Sequence, residues 1–338
     1  MAARGRGLVA IRYRDAGVDL DRHREMHRIA SGFLHGLRGR YAHAIVLDGR
    51  EVTLHVDGVG TKTLVLERLG RLRVAGWDCV VMNTNDVACD NYRPVALVDY
   101  VALPRSDESL FREVLEGVAE AAERVGAVLL GGETAILPGL ANGVDVVCTV
   151  MGVRERRVEN LAEPGDVLYG LPSNGLHANG YSLVRKIVEE RLGGRYDAVV
   201  DGVDLAEELS RPVADYTGFL LDAWREMLIR AAAHVTGGAY TKLLRILPDG
   251  ARAVLEMPRS PPIFELLLKH GVPPDEAYRV FNMGFGLVVA APETNEEELA
   301  RLAERHGYRL VRLGRVERSD EKSVVIKTPY SPEPIVYS

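Results

Sequence analysis

The stretch Asp57-Gly-Val-Gly-Thr-Lys62 follows directly after Val52–Val56, a segment whose apolar and polar residues alternate as they do in a β-strand. A carboxylate, two glycines and an ammonium group therefore stand together at the end of a predicted strand. The carboxylate suits a divalent cation, the glycines let backbone N–H groups approach a ligand, and the lysine suits a phosphate. The pattern indicates a site for a polyanion, and a glycine-rich turn that binds nothing is the alternative.

Two further acidic residues in the first half have similar surroundings. Asp86 closes the run Asn83-Thr-Asn-Asp86, and Glu133 lies in Gly131-Gly-Glu-Thr134 after a short apolar strand, so both are predicted at strand ends or loop starts. Mg²⁺ prefers oxygen ligands and is usually held by a few carboxylates together with phosphate oxygens. We therefore predict that Asp57, Asp86 and Glu133 converge on one Mg²⁺ ion that carries a triphosphate. The alternative is that Asp86 and Glu133 cap neighbouring helices.

Two polar loops in the second half are candidate anion sites. Ser173-Asn-Gly-Leu-His-Ala-Asn-Gly-Tyr-Ser182 opens a predicted helix, whose free N–H groups favour an anion, and its histidine, asparagine and serine side chains add donors. His234-Val-Thr-Gly-Gly238 precedes a predicted helix at Lys242–Ile246 in the same way. Capped helices and structural turns have nearly the same sequences, so they are the alternatives.

Strand-like and helix-like segments alternate along the chain, which predicts an α/β or α+β architecture. One helix carries apolar residues on a single face from Leu110 to Val125, with Ser106 or Asp107 as its cap. The turn Glu163-Pro-Gly-Asp166 predicts an N-terminal domain of residues 1–164 and a C-terminal domain of residues 165–338. Further predicted elements are strands at Val95–Leu103, Ala127–Leu130, Val144–Val153, Val167–Tyr169, Ala251–Glu256, Phe281–Ala290 and Val324–Lys327, helices at Tyr181–Arg191 and Tyr216–Ala233, and a surface extension after Thr328.

The composition is that of an ordinary globular protein of 338 residues, of which 47% are hydrophobic, with a formal net charge of −6. This acidic balance gives no broad basic field, which argues against nucleic acid as a partner. No apolar run is long enough to span a membrane, and the N-terminus lacks the apolar core of a signal peptide. The cysteines Cys79, Cys89 and Cys148 are odd in number and lack metal-ligand spacing, so reduced thiols and a cytoplasmic location are predicted.

Seven motifs follow one another along the chain: Tyr13-Arg-Asp-Ala-Gly-Val-Asp19, Asp57–Lys62, Asn85-Asp86, Gly131–Pro138, Ser173–Arg185, His234–Gly238 and Phe281–Gly286. In this order they resemble the aminoimidazole ribonucleotide (AIR) synthetase family, the phosphoribosylformylglycinamidine cyclo-ligases. The resemblance extends over nearly the whole chain. It implies a two-domain AIR synthase-like α/β (α+β) fold and a homodimer, in which the N-terminal sheets form a shared barrel and the C-terminal α/β domains flank it.

The resemblance implies ATP-dependent ring closure of formylglycinamidine ribonucleotide to AIR, with release of ADP and phosphate, in purine biosynthesis. The implied cofactors are ATP and Mg²⁺. The implied catalytic residues are Asp57, Lys62 and His177, and the implied metal ligands are Asp57, Asp86 and Glu133. ATP binding is implied for Asp57, Gly58, Gly60, Thr61, Lys62, Asn85, Asp86, Gly132 and Glu133, and substrate binding for Ser173, Asn174, His177, Asn179, Ser182, Thr236, Gly237 and Gly238.

The sequence departs from the family pattern at four places. Arg14 stands where the family commonly has lysine, and a planar guanidinium does not replace a compact ammonium group. Arg38-Gly-Arg-Tyr-Ala-His43 stands in place of a glycine-rich loop. Asp90-Asn-Tyr-Arg-Pro94 replaces a Gly-Ala-Glu-Pro stretch, and Pro212-Val-Ala-Asp-Tyr216 lacks a Thr-Arg pair after its proline. The last two departures leave open whether the substrate pocket is conventional.

Two other functions remain as alternatives. One is a sibling ATP-using enzyme such as thiamine monophosphate kinase, although the motifs His234–Gly238 and Phe281–Gly286 fit the cyclo-ligase better. Selenophosphate synthetase would want a cysteine in an N-terminal glycine-rich loop, and no cysteine lies in such a loop here. The hydrogenase maturation dehydratase needs a C-terminal cysteine, which Ile335-Val-Tyr-Ser338 lacks. The other alternative is a non-catalytic nucleotide-binding dimer, which the altered segments 90–94 and 212–216 suggest.

Overall fold

The computed structural model describes residues 9–338, which form two large β-sheets and a two-stranded ribbon with helices packed against them. The strands are β1 (Ala44–Leu47), β2 (Arg50–Gly58), β3 (Tyr92–Leu103), β4 (Val128–Ile136), β5 (Asp145–Arg154), β6 (Val167–Pro172), β7 (Val199–Val200), β8 (Val203–Asp204), β9 (Ala231–His234), β10 (Ala251–Glu256), β11 (Phe285–Ala291), β12 (Val311–Arg318), β13 (Ser323–Thr328) and β14 (Ser331–Tyr337). The α-helices are α1 (Leu20–Ser31), α2 (Lys62–Leu69), α3 (Arg73–Cys89), α4 (Glu108–Val125), α5 (Tyr181–Arg191), α6 (Leu205–Ser210), α7 (Thr217–Arg225), α8 (Pro262–Lys269), α9 (Pro274–Val280) and α10 (Glu296–Arg305). Short 3₁₀ helices occupy Tyr13–Ala16, Ala239–Arg245 and Glu293–Asn295.

The first sheet has the order β1-β2-β5-β3-β4, and its strands are antiparallel except for the parallel pair of β3 and β4. Helices α3 and α4 cover one face and cross closely, because Gly76 and Gly117 place no side chain at the crossing. The other face is apolar and exposed, as shown by Leu54, Val56, Val98, Tyr100 and Val128. An exposed apolar surface of this kind is typical of a face that another molecule covers.

Helix α3 connects the two halves of the molecule. It packs against β2, β3 and β5 of the first sheet and also contacts β9 and α7 of the second half. Every residue from Cys79 to Cys89 is buried, so this part of the helix has no solvent-facing polar side. Its polar residues Asn83, Thr84, Asn85 and Asp86 are therefore buried as well, where the structure supplies their hydrogen-bond partners.

The second sheet has the order β14-β13-β10-β12-β6-β11-β9, with β10 and β13 as its parallel pair. Every residue of β9 and β11 is buried, and these two strands form one border of the large apolar core. The predicted boundary after residue 164 falls in the connection between β5 and β6, which separates the two sheets. It stays a prediction about where independent domains begin and end.

The elements with strong local signals are confirmed. Helix α4 begins after Asp107, whose carboxylate accepts a hydrogen bond from the Leu110 N–H at 3.2 Å. Helix α5 spans the predicted residues, and β5, β10 and β13 match their predicted strands to within a residue or two. None of the helices among residues 9–338 is long and apolar enough to cross a membrane.

Three predictions about local structure are wrong. The helix predicted over 216–233 ends at Arg225, because residues 231–234 pair with β11 as strand β9 despite their alanine content. The segment after Thr328 is not a surface extension, since β14 pairs with β13. Asp86 and Glu133 do not lie at strand ends: Asp86 lies within α3 and Glu133 within β4.

The prediction of three reduced thiols is also wrong. Cys79 of α3 and Cys148 of β5 form a disulfide, with their Cα atoms 5.5 Å apart, while Cys89 is free and buried. The two bonded cysteines are 69 positions apart in the sequence, and only the packing of α3 on the sheet brings them together. An odd number of cysteines therefore did not predict their redox state.

Candidate active site

A cavity of about 820 Å³ lies where the end of β2, helix α3, the segment 236–245 and the N-terminal segment meet. Carboxylates and cations line it together, which suits a ligand that brings both phosphate groups and a metal ion. Its polar lining residues are Tyr13, His23, Arg24, His27, Tyr41, His55, Asp57, Asp86, Asn179, Thr236, Thr241, Lys242, Arg245 and Arg279.

Asp86 is held between two imidazole rings. Its Oδ1 lies 2.6 Å from His234 Nδ1, and its Oδ2 lies 3.6 Å from His55 Nε2. The His55 ring is held in turn by Asn83, whose Oδ1 is 2.7 Å from His55 Nδ1. Burial acts to raise the pKa of Asp86, but the positive charge of Lys242 and the bond with His234 outweigh it and hold the pKa below its ordinary value. Asp86 is therefore ionised at neutral pH.

Asp57 is the second carboxylate of the cavity. Burial raises its pKa, and the negative charge of Asp86 raises it further. A divalent cation would relieve this repulsion between two buried acids. Among residues 9–338, no group of three or more His, Cys, Asp or Glu side chains is arranged to hold a metal ion. One or two carboxylates are sufficient for Mg²⁺ when phosphate oxygens and water complete its ligand shell, so these oxygen donors fit that ion.

Lys242 is the buried ammonium group of the cavity. Its Nζ donates a hydrogen bond to Thr236 Oγ1 and lies 5.5 Å from the centre of the Tyr41 ring. Arg245 shares that ring, with its Cζ 5.4 Å from the centre. Burial lowers the pKa of Lys242, while the two carboxylates of the cavity act to raise it. The sequence reasoning missed both cations, although a lysine and an arginine three positions apart after a glycine loop were visible signals.

Six of the predicted site residues line this cavity: Asp57, Asp86, Asn179, Thr236, Gly237 and Gly238. Gly238 has a φ of 84°, which favours glycine and lets the chain turn from β9 into the 3₁₀ helix that carries Lys242. Asn85 lies behind the cavity, where its Nδ2 is 3.4 Å from His234 Nε2. The loop after β2 and the loop after β9 therefore meet at one place, although they are far apart in the sequence.

Lys62 does not reach the cavity, contrary to the prediction that it contacts a phosphate. It is fully buried in the first turn of α2, and its Nζ donates to Asp78 Oδ2 and to the main-chain oxygen of Arg211, each at 2.6 Å. The ammonium group is thus paired inside the protein.

In the loop before Lys62, the Gly58 N–H donates to Asp57 Oδ1 at 2.8 Å, which orients that carboxylate. Neighbouring Gly60 and Thr61 belong to the turn that leads into α2 and do not line the cavity.

Glu133 lies apart from the other two predicted metal ligands. The backbone register aligns Asp57 with Cys148, which faces the helix-covered side of the sheet. Glu133 aligns instead with Tyr100, which belongs to the exposed apolar face. Residues opposite each other on neighbouring strands point to the same face, so Asp57 and Glu133 lie on opposite faces of the sheet. The three acids therefore do not converge within one chain, and Gly132 beside Glu133 does not line the cavity either.

The predicted substrate loop before α5 lies mostly behind the cavity. Asn179 reaches the lining, but Ser173 donates to Asn282 Oδ1 at 2.8 Å and Asn174 donates to the Pro212 main-chain oxygen at 3.0 Å. Ser182 Oγ lies 3.1 Å from the Thr61 hydroxyl, which joins this loop to the start of α2. These contacts hold the loop in place and leave only its tip free for a ligand.

His177 is buried in the same loop and does not line the cavity, contrary to its predicted catalytic role. Its φ of 62° is uncommon for a residue with a side chain. Its Nε2 accepts a hydrogen bond from the Asn174 N–H at 3.1 Å, and burial lowers its pKa well below the ordinary value. His177 is therefore neutral and outside the cavity lining in this structure, and its catalytic role stays a prediction.

The N-terminal segment supplies cavity residues that the sequence reasoning set aside. His23 and His27 line the cavity together with Arg24, although none of the three belongs to a motif identified in the sequence. All three lie on α1, which Arg279 ties to the cavity wall through a bond to Asp21. Their spacing of one and four residues places them on one side of a helix, and that signal could have identified them.

The chain matches the family models of the AIR synthase related protein at residues 40–154 for the N-terminal domain and 163–327 for the C-terminal domain. It is 38% identical over 315 residues to a protein of Sulfurisphaera tokodaii named phosphoribosylformylglycinamidine cyclo-ligase, covering 91% of this chain and 94% of the relative. A protein of Saccharolobus solfataricus with the same name is 38% identical over 330 residues, covering 95% and 98%.

Solved structures with lower identity share the fold. The crystal structure of tt0281 from Thermus thermophilus matches with a TM-score of 0.64 at 22% identity, over 92% of this chain and 97% of that one. AaThiL complexed with AMPPCP and TMP matches with a TM-score of 0.62 at 15% identity, over 93% and 96%. The two-domain α/β architecture and the match of both family models over most of the chain lead to one conclusion: the chain belongs to the AIR synthase related family.

Proposed function

We propose that this protein is an ATP-dependent ligase that closes formylglycinamidine ribonucleotide to 5-aminoimidazole ribonucleotide and releases ADP and phosphate. The main support is one cavity that Asp57 and Asp86 line together with Lys242 and three arginines. The near full-length similarity to relatives named phosphoribosylformylglycinamidine cyclo-ligase supports the same activity. This step belongs to purine biosynthesis, and we place it in the cytoplasm.

The chemistry requires two successive displacements. The formyl oxygen of the substrate attacks the γ-phosphorus of ATP, so an O–P bond forms while the bond to ADP breaks. The ribose-bearing nitrogen then attacks the activated formyl carbon, and the oxygen leaves as part of inorganic phosphate while the nitrogen proton passes to solvent. Holding nitrogen and carbon together in one cavity supplies much of the acceleration, because the attack occurs within one molecule.

The residues of the cavity divide between the two charged parts of the reactants. Asp57 and Asp86 would hold Mg²⁺, which when bound screens the negative charge of the triphosphate. Arg24, Arg245 and Arg279 line the same cavity and suit the phosphate of the ribonucleotide, since a guanidinium binds phosphate oxygens in pairs. His234 and His55 keep Asp86 in place for the metal ion.

The proposed activity is tested by measuring ADP release from Mg²⁺-ATP with and without formylglycinamidine ribonucleotide. Release that depends on this substrate, together with formation of the imidazole product, supports the proposal. ATP binding without stimulated release would favour a nucleotide-binding scaffold. Stimulation by thiamine monophosphate instead would favour a kinase like the structural neighbour that was complexed with TMP.

Replacing Asp57 by asparagine is expected to weaken Mg²⁺-ATP binding by roughly 10- to 100-fold, because it removes one charged ligand of the cation while keeping the shape of the side chain. Titration calorimetry with Mg²⁺-ATP measures the change. Asp99→Asn is the matched control, since Asp99 is also a buried carboxylate on the helix-covered face of the same sheet but does not line the cavity. Equal affinities of Asp57→Asn and the wild type would contradict the metal assignment.

We also propose that the protein is a homodimer that pairs through the exposed apolar face of the first sheet. Leu54, Val56 and Val128 are each more than half exposed there, at 70%, 62% and 59%. Glu133 lies on this face, so a second copy is the route by which it would take part in a metal site. The dimer would thus account for the one predicted acid that a single chain leaves outside the cavity.

Replacing Leu54 by lysine is expected to weaken this dimer by at least about 30-fold, because a buried unpaired charge at an interface costs roughly 2–5 kcal/mol. Light scattering across a dilution series measures the mass, and the single chain has 37.1 kDa. Val336→Lys is the control, since Val336 is also an apolar residue that is more than half exposed, on β14 of the other sheet. A wild type with the mass of one chain would rule out the dimer.

A further inference from the structure

We propose that Lys242 is the ammonium group that meets the transferring phosphoryl group, in the role that the sequence suggested for Lys62. The inference rests on the proposed function and adds a catalytic residue to it. No step changes the protonation of Lys242: while the bond from the γ-phosphorus to ADP breaks and the bond to the formyl oxygen forms, the lysine keeps its protons and donates hydrogen bonds to the phosphoryl oxygens.

The first argument is that Lys242 has free donors. Its Nζ is buried at the cavity wall, and within residues 9–338 its one hydrogen-bond acceptor is Thr236 Oγ1. An ammonium group has three N–H donors, and leaving them unpaired in a buried place is costly. Two donors therefore remain for oxygen atoms of a bound ligand. Lys62, by contrast, has an ion pair and a main-chain acceptor of its own and no route to the cavity.

The second argument is the position of Lys242 relative to the carboxylates. Both Asp57 and Asp86 lie close enough to Lys242 for its charge to act on them, and all three residues line one cavity. A cation held by the two acids and the ammonium group of Lys242 would therefore meet a phosphate in the same cavity. That arrangement neutralises the charge that develops on a phosphoryl group in transfer.

The third argument is that the protein holds Lys242 in place through Tyr41. The Asp90 carboxylate accepts hydrogen bonds from the N–H groups of Tyr41 and Ala42, at 2.7 and 2.9 Å, and its other oxygen accepts from Asn160 at 2.9 Å. These bonds hold the backbone at Tyr41, whose ring contacts the charged groups of both Lys242 and Arg245. Two departures from the family pattern, at 38–43 and 90–94, thus meet in one structural unit beside the cavity.

The position of Lys242 also bears on the departure from the family pattern at position 14. Arg14 stands where the family commonly has lysine, and it is exposed and outside the cavity lining. Lys242 instead presents its ammonium group to the cavity from the 3₁₀ helix after Gly238. The ammonium group of the site therefore comes from the C-terminal half of the chain.

The test removes the ammonium group and then restores it chemically. Lys242→Cys is expected to lower kcat by about 100- to 1,000-fold, while the Kd for Mg²⁺-ATP changes by less than about tenfold, because the lysine acts mainly on the transition state. Alkylation with 2-bromoethylamine rebuilds a lysine-like ammonium group and should raise the kcat of the cysteine variant at least about tenfold. Alkylation with iodoacetamide gives a neutral side chain and should recover nothing.

Other cysteines do not interfere, since Cys79 and Cys148 are bonded to each other and Cys89 is buried. Lys269→Met, at an exposed lysine paired with Asp201, is the control and should keep the wild-type kcat. If the cysteine variant does not fold, Lys242→Arg and Lys242→Met replace it. Lys242→Arg retains the positive charge, so we expect it to have a higher kcat than Lys242→Met.

Three results separate the hypotheses. A Lys242→Cys variant with kcat within about threefold of the wild type would overturn the role of Lys242. Equal recovery with both alkylating reagents would also overturn it, because volume and not charge would then matter. A wild type without substrate-dependent ADP release would instead contradict the proposed function itself.

Discussion

Replacing Asp78 by asparagine is expected to lower the free energy of unfolding by about 3–5 kcal/mol, because it leaves the Lys62 ammonium buried without its counter-charge. Both side chains are completely buried, and Lys62 Nζ lies 2.6 Å from Asp78 Oδ2. Asparagine keeps the volume of aspartate and an oxygen for the Val213 N–H, which donates to Asp78 Oδ1 at 2.7 Å. The expected loss of stability therefore comes mainly from the missing charge.

Chemical denaturation measures this loss, and two further variants interpret it. A double variant with Lys62→Met and Asp78→Leu removes both charges and should recover most of the stability, since apolar residues of similar volume often replace a buried ion pair without loss. Arg73→Ala breaks only surface pairs with Glu116 and Glu120 and should cost less than about 1 kcal/mol.

The same variants decide what Lys62 does. If Lys62 is structural, the double variant should be stable and still turn over ATP. A stable double variant without activity would indicate that Lys62 takes part in catalysis, as its motif suggests. It would contradict the conclusion that Lys62 is only a buried ion-pair partner of Asp78. This comparison also complements the Lys242 experiment, because it asks the same question of the other buried lysine.

Removal of the Cys79–Cys148 disulfide is expected to lower the free energy of unfolding by about 4 kcal/mol. The bond closes a loop with a sequence separation of 69, and in the loop-entropy description a cross-link of this span restricts the unfolded chain by about that amount. The double variant with Cys79→Ala and Cys148→Ala, compared with the wild type in a denaturant series without reductant, measures it.

The control for this experiment is Cys89→Ala, which removes a buried thiol but no cross-link. This variant should lower the free energy of unfolding only slightly, because it shortens one buried side chain. The wild type denatured with a strong reductant should move toward the double variant, because reduction removes the same cross-link. If reduced and oxidised wild type unfold at the same denaturant concentration, the bond contributes nothing to stability.

The disulfide also lies close to the candidate site. Asn83 donates to the main-chain oxygens of Cys79 at 2.8 Å and Cys148 at 3.2 Å, and its own oxygen meets His55. The cross-link therefore anchors the part of α3 that presents Asp86 to the cavity.

Local signals predicted those parts of the molecule in which neighbouring residues determine the structure. The cap at Asp107 and the single apolar face of α4 need only residues within the same helix. The glycines before Lys242 likewise predicted a turn that a ligand can approach, and Thr236 and Gly237 do line the cavity. Where the signal depends on burial, prediction failed: α3 is buried on all sides near Asp86 and has no amphipathic pattern to reveal it.

The sequence by itself determined that this chain has a mixed α/β fold of the AIR synthase family, with an acidic loop after β2 and a glycine loop after β9, because ordered motifs and local periodicity carry that information. Only the tertiary structure decided which charges share the cavity. Strand register places Glu133 and Asp57 on opposite faces, and helix packing buries Lys62 against Asp78 while Lys242 lines the cavity with Asp57 and Asp86. Register and packing arise from contacts between residues far apart in the chain, and no local pattern encodes them.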